Sequence, residues 1–182
     1  MGPTLEAAAP RGQMLLRSCL VSEDAETQQT AIQNLLQRYL YLYSQQSWGE
    51  WIDLWADDGV LEFPFAPPGR RSRYVGSHDI LAYMKAVAVR MEGRIKSEGL
   101  DYFQVRPMQD SSVICLEMGV KGRILATDAP YLQKYISIVE TKGGKISLYR
   151  EYWNPLVSMD ANGGREAWTA AFGNSEPEGA AS

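Results

Sequence analysis

The stretch LLQRYLYLYSQQSWGEWIDLWADDG, residues 35–59, decides the fold. With Ile32 ahead of it, Leu35, Leu36, Tyr39, Leu40 and Tyr43 recur at helical spacing and lay one broad apolar stripe along a helix that begins near Glu26. Trp48, Trp51, Ile52 and Trp55 repeat at three- and four-residue steps, which predicts a second, shorter helix over 47–56, and Asp57-Asp58-Gly59 supplies its stop. The chain then extends. Gly59 to Phe65 reads as a strand ended by Pro67-Pro68-Gly69, and Pro64, which has no amide hydrogen to give a ladder, assigns that strand towards a sheet edge.

Downstream, Arg70-Arg71-Ser72-Arg73 reads as a basic loop, and Gly76-Ser77 opens a third helix. Ser77 is its expected N-cap, Asp79 suits the free amides of the first turn, and Ile80, Met84, Val87 and Met91 mark the buried face. After Gly99 the helical period ends and three extended runs follow, over 101–108, 112–125 and 132–154, the last split at Lys142-Gly143-Gly144 into a hairpin. The expected order is α-α-β-α-β-β-β-β, an α+β fold with helices on one face of a sheet. Residues 1–24 read as a loose arm, 25–157 as the domain, and 158–182 as a tail in which Trp168 and Phe172 sit on a short helix.

Composition bounds the function. A chain of 182 residues with net charge −4, 45% hydrophobic and 22% charged residues has room for a real core, and lacks the bias of a disordered, collagenous or polybasic nucleic-acid-binding chain. Cys19 and Cys115 lack the paired spacing of a zinc or dithiol motif and read as free thiols. With one histidine and no tight acidic cluster, no metal site is expected. The apolar run Met14 to Val21 is short and broken by Arg17, so a cytoplasmic protein is expected, without membrane or nucleic-acid partners.

Residues 35–59, the following strand, the helix start Gly76-Ser77-His78-Asp79-Ile80 and the closing Arg150-Glu151-Tyr152-Trp153-Asn154-Pro155 together resemble the nuclear-transport-factor-2-like superfamily over about 26–157. Within it they resemble ketosteroid isomerases, SnoaL-like polyketide cyclases and, most closely at the last strand, the A/B proteins of phenazine biosynthesis. The resemblance implies a cone-shaped fold, a curved mixed or antiparallel sheet wrapped round three N-terminal helices with a deep pocket, commonly in a homodimer. It also implies general acid/base catalysis without a cofactor, in isomerisation, cyclisation, dehydration or condensation of small intermediates of secondary metabolism, antibiotic biosynthesis among them. An apolar cone raises the pKa of an isolated carboxyl towards neutrality by desolvation.

Carried over residue by residue, the resemblance implies Glu151 as the acid/base, in an Arg-Glu-aromatic context on the last strand, with Tyr149 and Trp153 on the same strand face by alternation. Where the phenazine proteins hold a partner histidine, this chain has Tyr83; its one histidine, His78, lies nearer the helix start. Tyr131 matches a ligand-facing tyrosine, and Tyr39 the oxyanion-donating tyrosine of the isomerases, although Tyr39 also belongs to the core stripe. The isomerase aspartate is replaced by Phe63, so steroid chemistry is not expected. Trp55 is expected at the cavity wall. The candidate set is therefore Glu151, His78 and Tyr83 as catalytic residues, and Tyr39, Trp55, Phe63, Tyr131, Tyr149 and Trp153 as substrate-binding ones. The alternative is a non-catalytic ligand-binding or protein-association module of the same fold.

Overall fold

A computed structural model describes residues 23–67 and 70–172. The chain runs α1 (Glu23–Ser44), α2 (Trp48–Ile52), β1 (Trp55–Glu62), β2 (Arg73–Val75), α3 (Ser77–Met91), β3 (Ile95–Pro107), β4 (Val113–Ile124), β5 (Ala129–Lys142), β6 (Lys145–Trp153), α4 (Pro155–Ala161) and α5 (Arg165–Phe172). It is an α+β architecture with one curved, unclosed sheet of order β2-β1-β6-β5-β4-β3. Every neighbouring pair is antiparallel except β1 and β6, so the sheet is mixed.

The apolar stripe of α1 does what its period predicts. Ile32, Leu36, Tyr39 and Leu42 are buried, and they join Trp51 of α2, Ile80 of α3 and the inner sheet residues Leu61, Ile114, Leu116, Val139, Ile146 and Tyr149 in one core. Aromatic rings dominate its centre: Tyr39 stacks on Tyr149 at 5.3 Å, and Trp51 lies 5.1 Å from Tyr39 and 5.7 Å from Trp55. Rings of this size each bury on the order of 150–250 Å², so this cluster carries a large share of the packing.

Several expectations change. The second helix ends at Ile52, and Trp55 opens β1 instead of closing the helix. The reason lies in the β1–β6 ladder, where Trp55 pairs with Ile146 but Val60 pairs with Leu148, so Ala56 to Gly59 bulge outwards. Gly59 is needed in that bulge: a Cβ there would sit 3.1 Å from the Trp55 ring and 3.0 Å from the Ala56 carbonyl. β1 is an interior strand, not an edge, because Pro64 falls in the turn beyond it, closed by Ala66 N donating to Phe63 O. Arg73 leaves the basic loop to start β2, the edge strand, too short at 3 residues to leave an alternation.

Gly76, not Ser77, occupies the N-cap of α3; Ser77 is already helical, and Asp79 instead accepts the Val75 amide while binding Arg71 through both oxygens. β3 begins at Ile95, before Gly99, since pairing with β4 continues across a register shift at Ser97/Gly99. Gly143 and Gly144 both have positive φ and join β5 to β6 in a tight hairpin, as their sequence predicts. The expected tail contains α4 and α5, joined by Trp168 Nε1 donating to Ser158 Oγ at 3.0 Å. α1 starts at Glu23 and not near Glu26, so Glu23 and Asp24 of the expected arm are helical; the rest of the arm, with Cys19, and the Phe172 side chain lie outside the described residues, and Cys115 is a free thiol. No helix among the described residues is long and apolar enough to cross a membrane.

Candidate active site

Alternation along β6 sends neighbouring side chains to opposite sides of the sheet. On the outer side, Arg150 Nε donates to Glu62 Oε2 at 2.7 Å, and Arg73 Nε donates to Glu62 Oε1 at 2.9 Å. Burial alone would raise the Glu62 pKa, but these two guanidinium groups reverse that and hold it below the usual carboxylate range.

On the inner side, Tyr149, Glu151 and Trp153 face the helices, with Ser137 and Tyr135 of β5 directly across the ladder from Glu151 and Trp153. Tyr149 is buried, while Glu151 and Trp153 are half-buried. Glu151 has no ion-pair partner among the described residues. Burial alone pushes its carboxyl from the ordinary 4.5 up to about 7. Its carboxyl is thus strongly desolvated although the residue as a whole is only half-buried.

Tyrosines surround it. The proximity of Glu151 adds to burial in raising the pKa of Tyr39 and Tyr43 on α1, Tyr131 and Tyr135 on β5, and Tyr149 on β6. Tyr43 reaches about 12, so its hydroxyl stays neutral and able to donate at any physiological pH. The Tyr131 and Tyr135 hydroxyls lie 3.2 Å apart in a hydrogen bond that either can donate. Chemically the arrangement offers one group that can give or take a proton near neutrality, and a set of neutral hydroxyl donors for an oxygen that becomes negative.

The structure gathers Glu151, Tyr39, Tyr131, Tyr149 and Trp153 from the predicted set. Trp55 is 0% exposed and stands behind Tyr149 and Tyr39 at 6.3 Å from each, so it backs the site and offers no surface to a ligand. Phe63 is likewise buried, packed on Tyr74 and Tyr83. Tyr83 stacks on Tyr74 at 4.0 Å and is felt by Tyr39, so it belongs to the adjoining aromatic wall. His78 is exposed in the first turn of α3, outside the ring of groups round Glu151, because the turn directs Ile80 inwards and leaves His78 in solvent. Sequence reading missed Tyr135 and Ser137 altogether and took Tyr43 for core alone. The period-two run Tyr131, Gln133, Tyr135, Ser137 was the available signal. Among the described residues no group of three or more His, Cys, Asp or Glu is placed to hold a metal ion.

Comparison with known proteins places the chain in a family. A family model described as a SnoaL-like domain matches residues 25–104. The Bacillus subtilis protein YesE is 34% identical over 129 residues, 71% of this chain and 85% of its own length. This chain belongs to the SnoaL-like family. A second relative, a PhzA/B-like protein of Pseudomonas aeruginosa, is 36% identical over 64% of this chain and 79% of its own. Among solved structures, a Bacillus subtilis protein provisionally named an isomerase superposes with TM-score 0.67 at 32% identity, covering 76% of this SnoaL-like chain and 96% of that one. A phenazine biosynthesis-related protein of Pseudomonas aeruginosa shares the fold with TM-score 0.59 at 17% identity, covering 81% and 91%. Neither YesE nor the PhzA/B-like relative carries a characterised activity in its name.

Proposed function

We propose that the protein is a small-molecule enzyme of secondary metabolism that uses Glu151 as a general acid/base on an aromatic or polyketide-like carbonyl or imine compound. One observation carries the reading: a lone carboxyl on the inner face of β6, brought to about 7 by burial and surrounded by tyrosine hydroxyls. At that value both protonation states are populated at neutral pH, the condition under which one carboxyl can remove and return a proton efficiently. Glu151 would take a proton from a carbon beside the carbonyl or imine. Tyr43 and Tyr135, half-buried and neutral, would donate to the oxygen or nitrogen that gains charge, and Glu151 would then deliver the proton to a second atom or to a leaving hydroxyl. Isomerisation, ring closure, dehydration and condensation all share this proton economy. The names of the solved relatives, a provisionally named isomerase among them, support the class.

The proposal extends to a homodimer with no cofactor. Leu132 and Ile136, exposed on the outer face of β5, are apolar groups that a second copy would cover; sedimentation of the purified chain tests it.

A second reading, a binding module without turnover, has one observation in its favour. Phe63, Tyr74 and Tyr83 form a packed ring cluster where the resembled enzymes hold a second titratable group. Metabolite profiles of the native host and a strain carrying Glu151→Gln at equal levels of folded protein separate the two. Accumulation of one compound names the substrate; unchanged profiles while the gene is expressed favour binding alone.

A further inference from the structure

Beside Glu151 lie two hydroxyls that the chemistry above does not use. Ser137 Oγ is fully buried on β5, directly across the ladder from Glu151, and the Tyr149 hydroxyl is buried on the same face of β6. Neither meets hydrogen-bond geometry with any group among the described residues. Ser137 is close enough to act on Tyr149 as a hydrogen-bonding neighbour, drawing its pKa down against the larger effect of burial, while Glu151 raises it, so the three groups share one polar spot in an apolar core. A buried unpaired hydroxyl costs roughly 1–3 kcal/mol, and two of them side by side in a well-packed sheet call for a reason.

We infer that Ser137 and Tyr149 are positioning residues that receive the Glu151 carboxylate when it ionises, each hydroxyl donating a hydrogen bond to it directly or through one internal water. The inference deepens the acid/base reading of Glu151 and rests on it. Protonated, Glu151 leaves the two hydroxyls no neighbour but each other; ionised, it gains two donors in place of lost solvent. The pair thereby sets the resting orientation of the base and limits how far desolvation raises its proton affinity. Among the described residues, the other titratable groups acting on or felt by Glu151 are Tyr39 and Tyr43 from α1 and Tyr131 and Tyr135 from β5, all held neutral by burial, and no cation among them takes over the task.

The test is infrared difference titration of the full chain, following the protonated carboxyl stretch from acid to alkaline pH and assigning Glu151 by its loss in Glu151→Gln. Ser137→Ala and Tyr149→Phe each remove one hydroxyl with almost no change in shape. Thr141→Val, at the far end of β5 where the hydroxyl binds the Ser112 carbonyl, is the control for a merely structural effect. The expected result is a tenfold or greater rise in proton affinity of Glu151 in each of the first two variants, a shifted carboxylate stretch, and no change in the third. A Glu151 titration that is the same in all of them overturns the inference and leaves the acid/base reading standing. Absence of any carboxyl assignable to Glu151 between the ordinary carboxylate range and neutrality overturns both.

Discussion

Arg150 donates to Glu62 on the outer side of the sheet while Glu151, the next residue, faces inwards among tyrosines. The cation that sequence adjacency offers to Glu151 is thus taken by a residue 88 positions away, and the inner carboxyl is left without a counter-ion among the described residues. Replacing Glu62 by Gln removes both ion pairs of that carboxylate. The expected cost is about 1 kcal/mol or less, since Arg73 and Arg150 retain much solvent contact. Urea unfolding should show a lower midpoint at unchanged slope, with the Glu151 titration unmoved; a shifted Glu151 would mean the two faces are electrically coupled.

Glu151 makes stability depend on pH in a defined sense. Its pKa is raised from 4.5 to about 7 in the folded chain, so within that window the folded state holds a proton that the unfolded state has released. Stability from this group is therefore complete below pH 4.5 and is lost progressively as pH rises through 7. The loss is on the order of 3 kcal/mol at most, reduced by the carboxyl's remaining contact with solvent. Glu151→Gln should match the wild type at the acid end of the window and exceed it above neutrality. Parallel stability curves for the two proteins would sink the assignment.

Turnover of the substrate, once the metabolite comparison names it, should follow an apparent pKa near 7 and fall by roughly 10²–10⁴-fold in Glu151→Gln. Tyr135→Phe should lower kcat by about 10- to 1000-fold with the pH profile kept, as expected for loss of a hydroxyl donor and not of the base. A change in KM alone would reassign Tyr135 to ground-state binding.

Gly122 tests how closely β3 and β4 approach. A Cβ at this position would lie 2.6 Å from the Lys96 carbonyl oxygen, a backbone atom that cannot swing aside. Gly122→Ala should destabilise the chain by about 1–3 kcal/mol through forced separation of the strands. Gly143→Ala costs through its positive φ instead, with open space round the Cβ. Comparing the two by chemical denaturation separates collision from backbone strain.

Local patterns were legible wherever the determinant is local. The α1 stripe, the Gly143-Gly144 hairpin and the alternation that puts Tyr149, Glu151 and Trp153 on one face need only neighbours in sequence. Trp55 misled because its spacing from Trp48 and Trp51 is helical, while the bulge that turns it into β1 is imposed by β6. Ser137 and Tyr135 escaped because their significance depends on register with β6, and a shift of one residue would send both to the other face. Phe63, His78 and Tyr83 were weighed by comparison of positions, which is blind to the packing of Phe63, Tyr74 and Tyr83 into one ring cluster.

The parallel pairing of β1 with β6 also orders events in time. β6 enters between β1 and β5, and it carries Glu151 and Tyr149 with it. Until it arrives, β1 and β5 each present an open edge and α1 has no Tyr149 ring to stack on. On the ribosome, every earlier strand emerges before the one that joins them. A stalled or truncated chain would therefore lose the base and gain two adhesive edges at once, so aggregation and inactivity share a single origin in this topology.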